Sequence, residues 1–192
     1  MKSLISNLLS VVFTFLIAGC SDKLTSSKAE RIIKEAIKFP VTEKESFEHG
    51  LVIHDWDSLP RVYYRLSEKG MFSVEYIGDR SGFPFGHEYL FRVTPSLESK
   101  KYYTEGNPKK DEQTSELKYK SWFKTCDVEF DDIKEIREIP AFNGAEITYQ
   151  VKRINFTPFW EVYLDGTLPK RDTIQLKGFS ALKTNDGWKA AR

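Results

Sequence analysis

This chain is poor in cysteine and histidine, with two of the first and three of the second in 192 residues. Two cysteines cannot build the multi-bridge framework on which small secreted domains rely. An excess of one charge is also missing: 29 Lys and Arg stand against 28 Asp and Glu, a formal net charge of +1. That balance leaves no electrostatic footprint for nucleic acid. No apolar run reaches the ~20 residues needed to span a bilayer. The nearest, "LLSVVFTFLIAG", covers only Leu8 to Gly19. Neither G-x-S-x-G, Walker nor G-x-G-x-x-G patterns occur, which removes the nucleophile elbow and the glycine-rich phosphate cradles. His49, His54 and His87 do not fall into a thiolate–imidazole spacing or an H-E-x-x-H helix, the patterns that hold zinc. The acidic run Asp127, Glu129, Asp131, Asp132 lacks the glycine and spacing of a calcium loop, and strand alternation assigns its first three members to a solvated face. No metal and no diffusible cofactor is expected.

What the chain does contain begins at its N-terminus. A basic residue, Lys2, precedes the apolar run, and small residues follow it where a signal peptidase cuts. The run ends in Ile17-Ala18-Gly19-Cys20. This resembles the lipobox of bacterial lipoproteins, usually written L-[AS]-[GA]-C, with Ile17 where leucine is usual. The resemblance covers the first twenty residues. It implies a signal peptide over 1–19, a covalent lipid on Cys20, and a tether over 20–27. Two or three acyl chains anchor stably, whereas one is marginal. Ser21 follows the anchor, which points to the outer membrane where the host has one.

Hydrophobic residues make up 40% and aromatic residues 14% of the chain, so a packed core is expected. Cys126 is then alone in the mature chain. In "WFKTCDVEF" it alternates with Val128 and Phe130 on the side a strand would bury, and Asp127 and Glu129 beside it would raise a thiol pKa. An inert core thiol is expected.

Periodicity predicts a helix over Lys28 to Phe39, with Ala29, Ile32, Ile33, Ala36 and Ile37 on one side. Ser27 and Glu30 have capping-box spacing and Pro40 ends the element. "GLVIHDW" reads as a short strand. A second helix is expected from Ser58 to Lys69 with Gly70 at its C′ position, and then two strands, "MFSVEYIG" and "HEYLFRV". Thr94 and Pro95 mark the start of a short helix. The order helix, strand, turn-rich loop, strand over about Leu59 to Val93 is similar to a winged-helix unit. That resemblance would enlist Arg61, Arg65, Lys69 and Arg80 as phosphate contacts, but the charge balance and the exported address oppose DNA as a partner.

Thr104 to Glu116 has no large apolar residue and reads as a linker between a 28–103 subdomain and a 117–192 sheet subdomain. Strands are expected over Tyr119–Phe130, Lys134–Ile139, Ala145–Asn155, Thr173–Leu182 and Trp188–Ala191, with turns at Asn143-Gly144 and Thr184–Gly187. The fold class is α+β: N-terminal helices with a winged-helix-like hairpin, then a curved antiparallel sheet that broadly resembles cystatin-like or NTF2-like sheets.

The most distinctive segment is "NFTPFWEVYLDG", Asn155 to Gly166. Thr157 and Pro158 are helix-start signals, and Phe156, Phe159, Trp160 and Tyr163 follow at helical spacing. They form either a core plug or an exposed lip that grips an apolar partner or a sugar face. The expected function is a non-enzymatic binding module anchored in the envelope, with an envelope protein or glycan as partner. The alternative is a small hydrolase of envelope polymers whose paired carboxylates only the fold brings together.

Overall fold

The computed structural model describes residues 23–82, 86–104, 106–164, 168 and 171–191. The expected signal peptide, the lipobox-like Ile17-Ala18-Gly19-Cys20 and so the expected lipid site lie outside the described residues. Among the described residues no helix is long and apolar enough to cross a membrane. The architecture is α+β, with antiparallel strand pairs and short helices. Contacts divide the chain into two compact units. The larger holds residues 37–132 and 150–177, and the smaller holds residues up to 36, 133–149 and 178–192.

In the larger unit, strand β1 (Val41–His54) pairs on one side with β3 (Gly86–Pro95), which pairs in turn with β2 (Phe72–Gly82). On its other side β1 pairs with β6 (Leu117–Ile139), from Val41 opposite Val128 to Gly50 opposite Lys118. Two short strands, β4 (Tyr103–Thr104) and β5 (Lys109–Lys110), also pair with β6. Helix α2 (Arg61–Glu68) buries Val62, Tyr63 and Leu66, the stripe its periodicity predicts. It starts three residues later than expected because Pro60 occupies the N-cap. It closes in a Schellman motif: Met71 N–H donates to Leu66 O at 2.8 Å and Gly70 N–H to Ser67 O at 2.9 Å. Gly70 sits at φ 69°, the left-handed conformation that a residue without Cβ adopts freely. Helix α3 (Leu97–Lys100) is capped by Ser96, whose Oγ accepts from Ser99 N–H at 3.1 Å. The cap is not Thr94, because Thr94 and Pro95 still belong to β3.

Four differences from the sequence reading have physical causes. Strand β1 is 14 residues long, not the short stretch around "GLVIH". Its first half alternates inward with Glu43 and Glu45, charges that hide a strand from any hydrophobicity pattern. Strand β6 is one strand of 23 residues, where two were expected; no glycine or proline interrupts Asp131-Asp132-Ile133, so the pairing continues. Residues 104–116 lie inside the larger unit instead of between units: Lys109 pairs with Lys118, and the Asp111 side chain is only 5% exposed. Polar composition there reflects a buried carboxylate and its partners. Lastly, Asp127 is buried, not solvated; it accepts from Lys124 at 2.7 Å, Thr42 at 2.9 Å and Asn155 at 3.2 Å.

The core of this unit is aromatic. Phe47, Phe72, Phe123 and Phe159 meet with ring centroids 4.7–6.0 Å apart, mostly in edge-on or tilted arrangements that suit ring quadrupoles.

In the smaller unit, helix α1 (Ser26–Ile37) buries Ala29, Ile32 and Ile33. It begins earlier than the Ser27 capping box predicted, with Thr25 Oγ1 accepting from Lys28 N–H at 3.4 Å. Leu24 just before it is buried, and its N–H donates to Glu138 at 3.0 Å. The end of β6 leads through a 3-10 turn, Pro140–Phe142, into β7 (Gly144–Ile154), then β8 (Ile174–Thr184) and β9 (Gly187–Ala190). Asn143 takes φ 47° at the turn, as the Asn-Gly pair predicts. Ala145, Ile147, Tyr149 and Ala181 are its buried sheet residues.

Candidate functional site

Helix α4 (Pro158–Leu164) carries the aromatic segment and lies in the larger unit. Thr157 starts it. Its Oγ1 accepts from Phe159 N–H at 3.3 Å while donating toward the carbonyls of Lys124 at 2.6 Å and Thr125 at 3.1 Å. The same residue therefore caps the helix and ties it to β6. From that anchor the helix turns Phe159, Trp160 and Tyr163 inward, at 0, 1 and 2% exposure. Phe159 packs tilted at 35° against Phe123 with centroids 4.7 Å apart. Of the four aromatic candidates, three form the core plug, and only Phe156 stands out, 46% exposed.

Phe156 tilts onto Trp160 at 5.1 Å and 33°. Together with Lys69, Glu161, Leu164 and Thr173 they line an open cleft of about 580 Å³. Leu164 is 61% exposed. The Lys69 ammonium pairs with the Glu161 carboxylate on the rim. Trp160 Nε1 is buried without a hydrogen-bond partner among the described residues, a costly state for an N–H donor. The cleft thus offers an apolar wall with an opposed pair of charges beside it. It can hold a flat or aliphatic group by contact area and orient it by hydrogen bonds.

Behind the aromatic helix lies a layer of ion pairs. Arg153 sits over the Trp160 ring at 5.5 Å, and Arg171 over the Tyr163 ring at 4.2 Å. Arg153 donates two hydrogen bonds to Glu43, at 2.8 and 2.9 Å, and one to Gln175 at 3.0 Å. Arg171 donates to Glu45 at 2.8 Å, and the Tyr163 hydroxyl donates to the same carboxylate. Burial pushes the Glu43 carboxyl up, but the hydrogen bonds and charge of Arg153 outweigh it, and the net shift is downward. Burial, and then the Glu45 carboxylate, push the Tyr163 phenol well above its usual range. Cys126 is fully buried, its Sγ 3.7 Å from Glu43. Burial and the Glu43 charge raise its pKa to about 11.

The remaining sequence candidates do not gather at this cleft, apart from Lys69. Arg65 pairs with Glu68, and Arg80 with Glu88 and Asp111. His54 Nδ1 accepts from Trp56 N–H at 3.3 Å, and His87 pairs with Asp79 at 2.6 Å. His49 is buried against Tyr119, rings parallel at 4.9 Å, and 2.8 Å from Ser121 Oγ. Among the described residues no group of three His, Cys, Asp or Glu stands close enough to hold a metal ion. Sequence reasoning missed Lys69, Glu161, Leu164 and Thr173 as cleft residues. Glu161 and Leu164 were legible as the outward positions of the aromatic helix; Lys69 was named only as a phosphate contact of the winged-helix resemblance, and Thr173 arrives from a distant segment and left no signal.

No protein-family model matches this chain, and no curated protein or solved structure matches it either.

Proposed function

We propose that this chain is a lipoprotein of the bacterial envelope, anchored through Cys20, that works as a non-enzymatic binding module. The anchor is supported by the leader and by Ile17-Ala18-Gly19-Cys20; Ser21 favours the outer membrane. The binding role is carried by one observation: an open cleft at α4 that keeps Phe156 and Leu164 exposed beside a rim ion pair. Exposed aromatic and aliphatic side chains around a concavity, with few polar groups to fix orientation, are the make-up of a recognition site. An envelope protein or a glycan is the partner, and no nucleic acid. The order α2, β2, β3 supports the winged-helix resemblance, and the antiparallel strands around β6 support the cystatin- or NTF2-like one; both are likenesses of architecture alone.

The hydrolase alternative has less behind it. Glu43 and Glu45 share one side of β1, but each carboxylate is bound to an arginine. A general acid needs a raised pKa, and that of Glu43 is lowered. The test is a photo-crosslinking phenylalanine analogue placed at Phe156 in the intact envelope. A discrete adduct with an envelope protein or glycan strand is expected, and it should vanish when Leu164 is changed to Asp. An analogue that gives no adduct beyond that of the exposed position Leu97 ends the reading of the cleft as a binding site.

A further inference from the structure

The outer side of β6 carries a second feature, separate from the α4 cleft. Lys118, Lys120, Trp122 and Lys124 stand at alternate positions, while Ser121 and Phe123 between them are buried. Period 2 puts the four on one side of the strand. Trp122 is 53% exposed. Its cross-strand neighbours are Ser46 and Thr104, both too short to cover an indole. On the same side Lys44 lies directly opposite Lys124, and Lys109 directly opposite Lys118. Like charges placed directly across a ladder are destabilising, and two such pairs flank this one exposed indole. Lys124 leans to Asp127 and Lys118 to Asp111, and Glu48 faces Lys120 across the ladder. Lys44, Lys109 and Lys120 still carry no ion pair among the described residues and are exposed. The cluster therefore presents free cations around an indole.

We infer that this side of β6 docks on the anionic surface of a lipid bilayer. The chemistry fits one occupant. An indole with a polar N–H and an apolar body settles at the boundary between headgroups and acyl chains. Lysines beside it keep their ammonium groups at the level of lipid phosphates, where the surface potential attracts them within a Debye length. The inference does not rest on the α4 cleft, and it holds whether the chain is tethered by lipid on Cys20 or by an uncleaved leader.

The test uses the full chain reconstituted in vesicles, so that the anchor is present in every sample. Tryptophan fluorescence is read with and without brominated lipid, and the contribution of Trp122 is isolated by comparison with Trp122→Phe. In vesicles containing phosphatidylglycerol, the Trp122 contribution should be quenched by more than half. In phosphatidylcholine vesicles, at high salt, or in the Lys44→Gln/Lys109→Gln/Lys120→Gln variant, that quenching should be lost. Circular dichroism confirms that each variant is folded; all the substituted side chains are exposed. Absence of quenching in anionic vesicles overturns the inference, as does equal quenching in neutral ones or indifference to the three lysines. So does shielding of Trp122 by heparin without any effect of vesicles, which would assign the face to a soluble polyanion.

Discussion

The Arg153 guanidinium closes on the Glu43 carboxylate with two hydrogen bonds of 2.8 and 2.9 Å, between side chains 8% and 22% exposed. This pair joins the strand whose charges face inward to the helix whose aromatics fill the core, since Arg153 also covers the Trp160 ring. Removing one partner leaves a poorly solvated charge behind. Arg153→Met should cost about 2–3 kcal/mol, short of the full penalty for a deeply buried pair because Glu43 retains some solvent. The double variant Glu43→Gln/Arg153→Met should recover part of that loss in denaturant titrations. The folded-state pKa of Glu43 lies below its ordinary value of 4.5. The stability it contributes is thus present above that ordinary value and fades as pH falls through the lower, folded one. Arg153→Met should flatten this acid limb of the stability profile.

Trp160 and Phe156 touch, yet their roles separate cleanly by exposure, 1% against 46%. Trp160→Ala removes a fully buried indole and should cost ~3–5 kcal/mol, a large share of a typical 5–15 kcal/mol stability. Phe156→Ala should cost less than ~1.5 kcal/mol and leave the melting transition cooperative, while removing partner capture in the envelope. Equal destabilisation by both changes would place Phe156 in the core and close the cleft as a site.

The parts of this fold legible in sequence are those where hydrophobic pattern and turn chemistry agree. Helix α2 with Gly70 at its end, the β2–β3 hairpin, and the Asn143-Gly144 turn all follow that rule. So does the aromatic helix with its Thr157 cap. Legibility failed where charge is used inside. Glu43 and Glu45 concealed the first half of β1, and Asp111 made a structured segment read as a linker. Both cases share one cause: a carboxylate made tolerable by an arginine that lies 31 to 126 residues away. At the cleft, the wall on α4 was visible as a pattern, but the contributions of Lys69 and Thr173 required the tertiary fold.

Cys126 has no exposed surface, and its pKa is raised to about 11 by burial and by the Glu43 carboxylate. Neutral thiol is the resting form at any physiological pH, and thiolate is the reactive species. Labelling by a maleimide at neutral pH should be at least a hundredfold slower in the native state than in denaturant. Fast labelling of folded protein would return Cys126 to consideration as a redox or nucleophilic residue.

Cys20 carries the proposed anchor. Replacing it with Ala removes the sulfur that would accept a diacylglycerol in the lipobox-like Ile17-Ala18-Gly19-Cys20. The variant should accumulate as uncleaved precursor or leave the lipid-anchored fraction, with no mass increment from acyl chains. A Cys20→Ala chain processed and retained at the membrane like the parent would falsify the lipoprotein assignment, while leaving the α4 cleft untouched.

Asp111 decides whether residues 106–116 behave as a linker or as part of the sheet. Its carboxylate accepts from Arg80 at 2.9 Å, from Lys118 at 2.7 Å, and from Thr114 through N–H at 2.9 Å and hydroxyl at 3.0 Å. The Arg80 and Lys118 bonds hold its pKa far below the ordinary carboxylate range. Nearby, Gly106 N–H donates to Ser121 Oγ at 2.9 Å, and a Cβ on Gly106 would lie 2.0 Å from the Lys120 carbonyl oxygen. Two independent fixings hold the same segment against β6. Trypsin should therefore cut slowly after Lys109 and Lys110 in the native chain, despite their exposed side chains. Asp111→Ala leaves Lys118 without its carboxylate and Arg80 with Glu88 alone. It should cost about 2 kcal/mol, below the full penalty for a buried pair because Lys118 keeps some solvent, releasing the segment so that cleavage there becomes the first nick. Gly106→Ala should release it too, by steric conflict with backbone and with no change in charge. If both variants keep the parent's cleavage rate and order, the segment is not held by these contacts, and the linker expected from its composition stands.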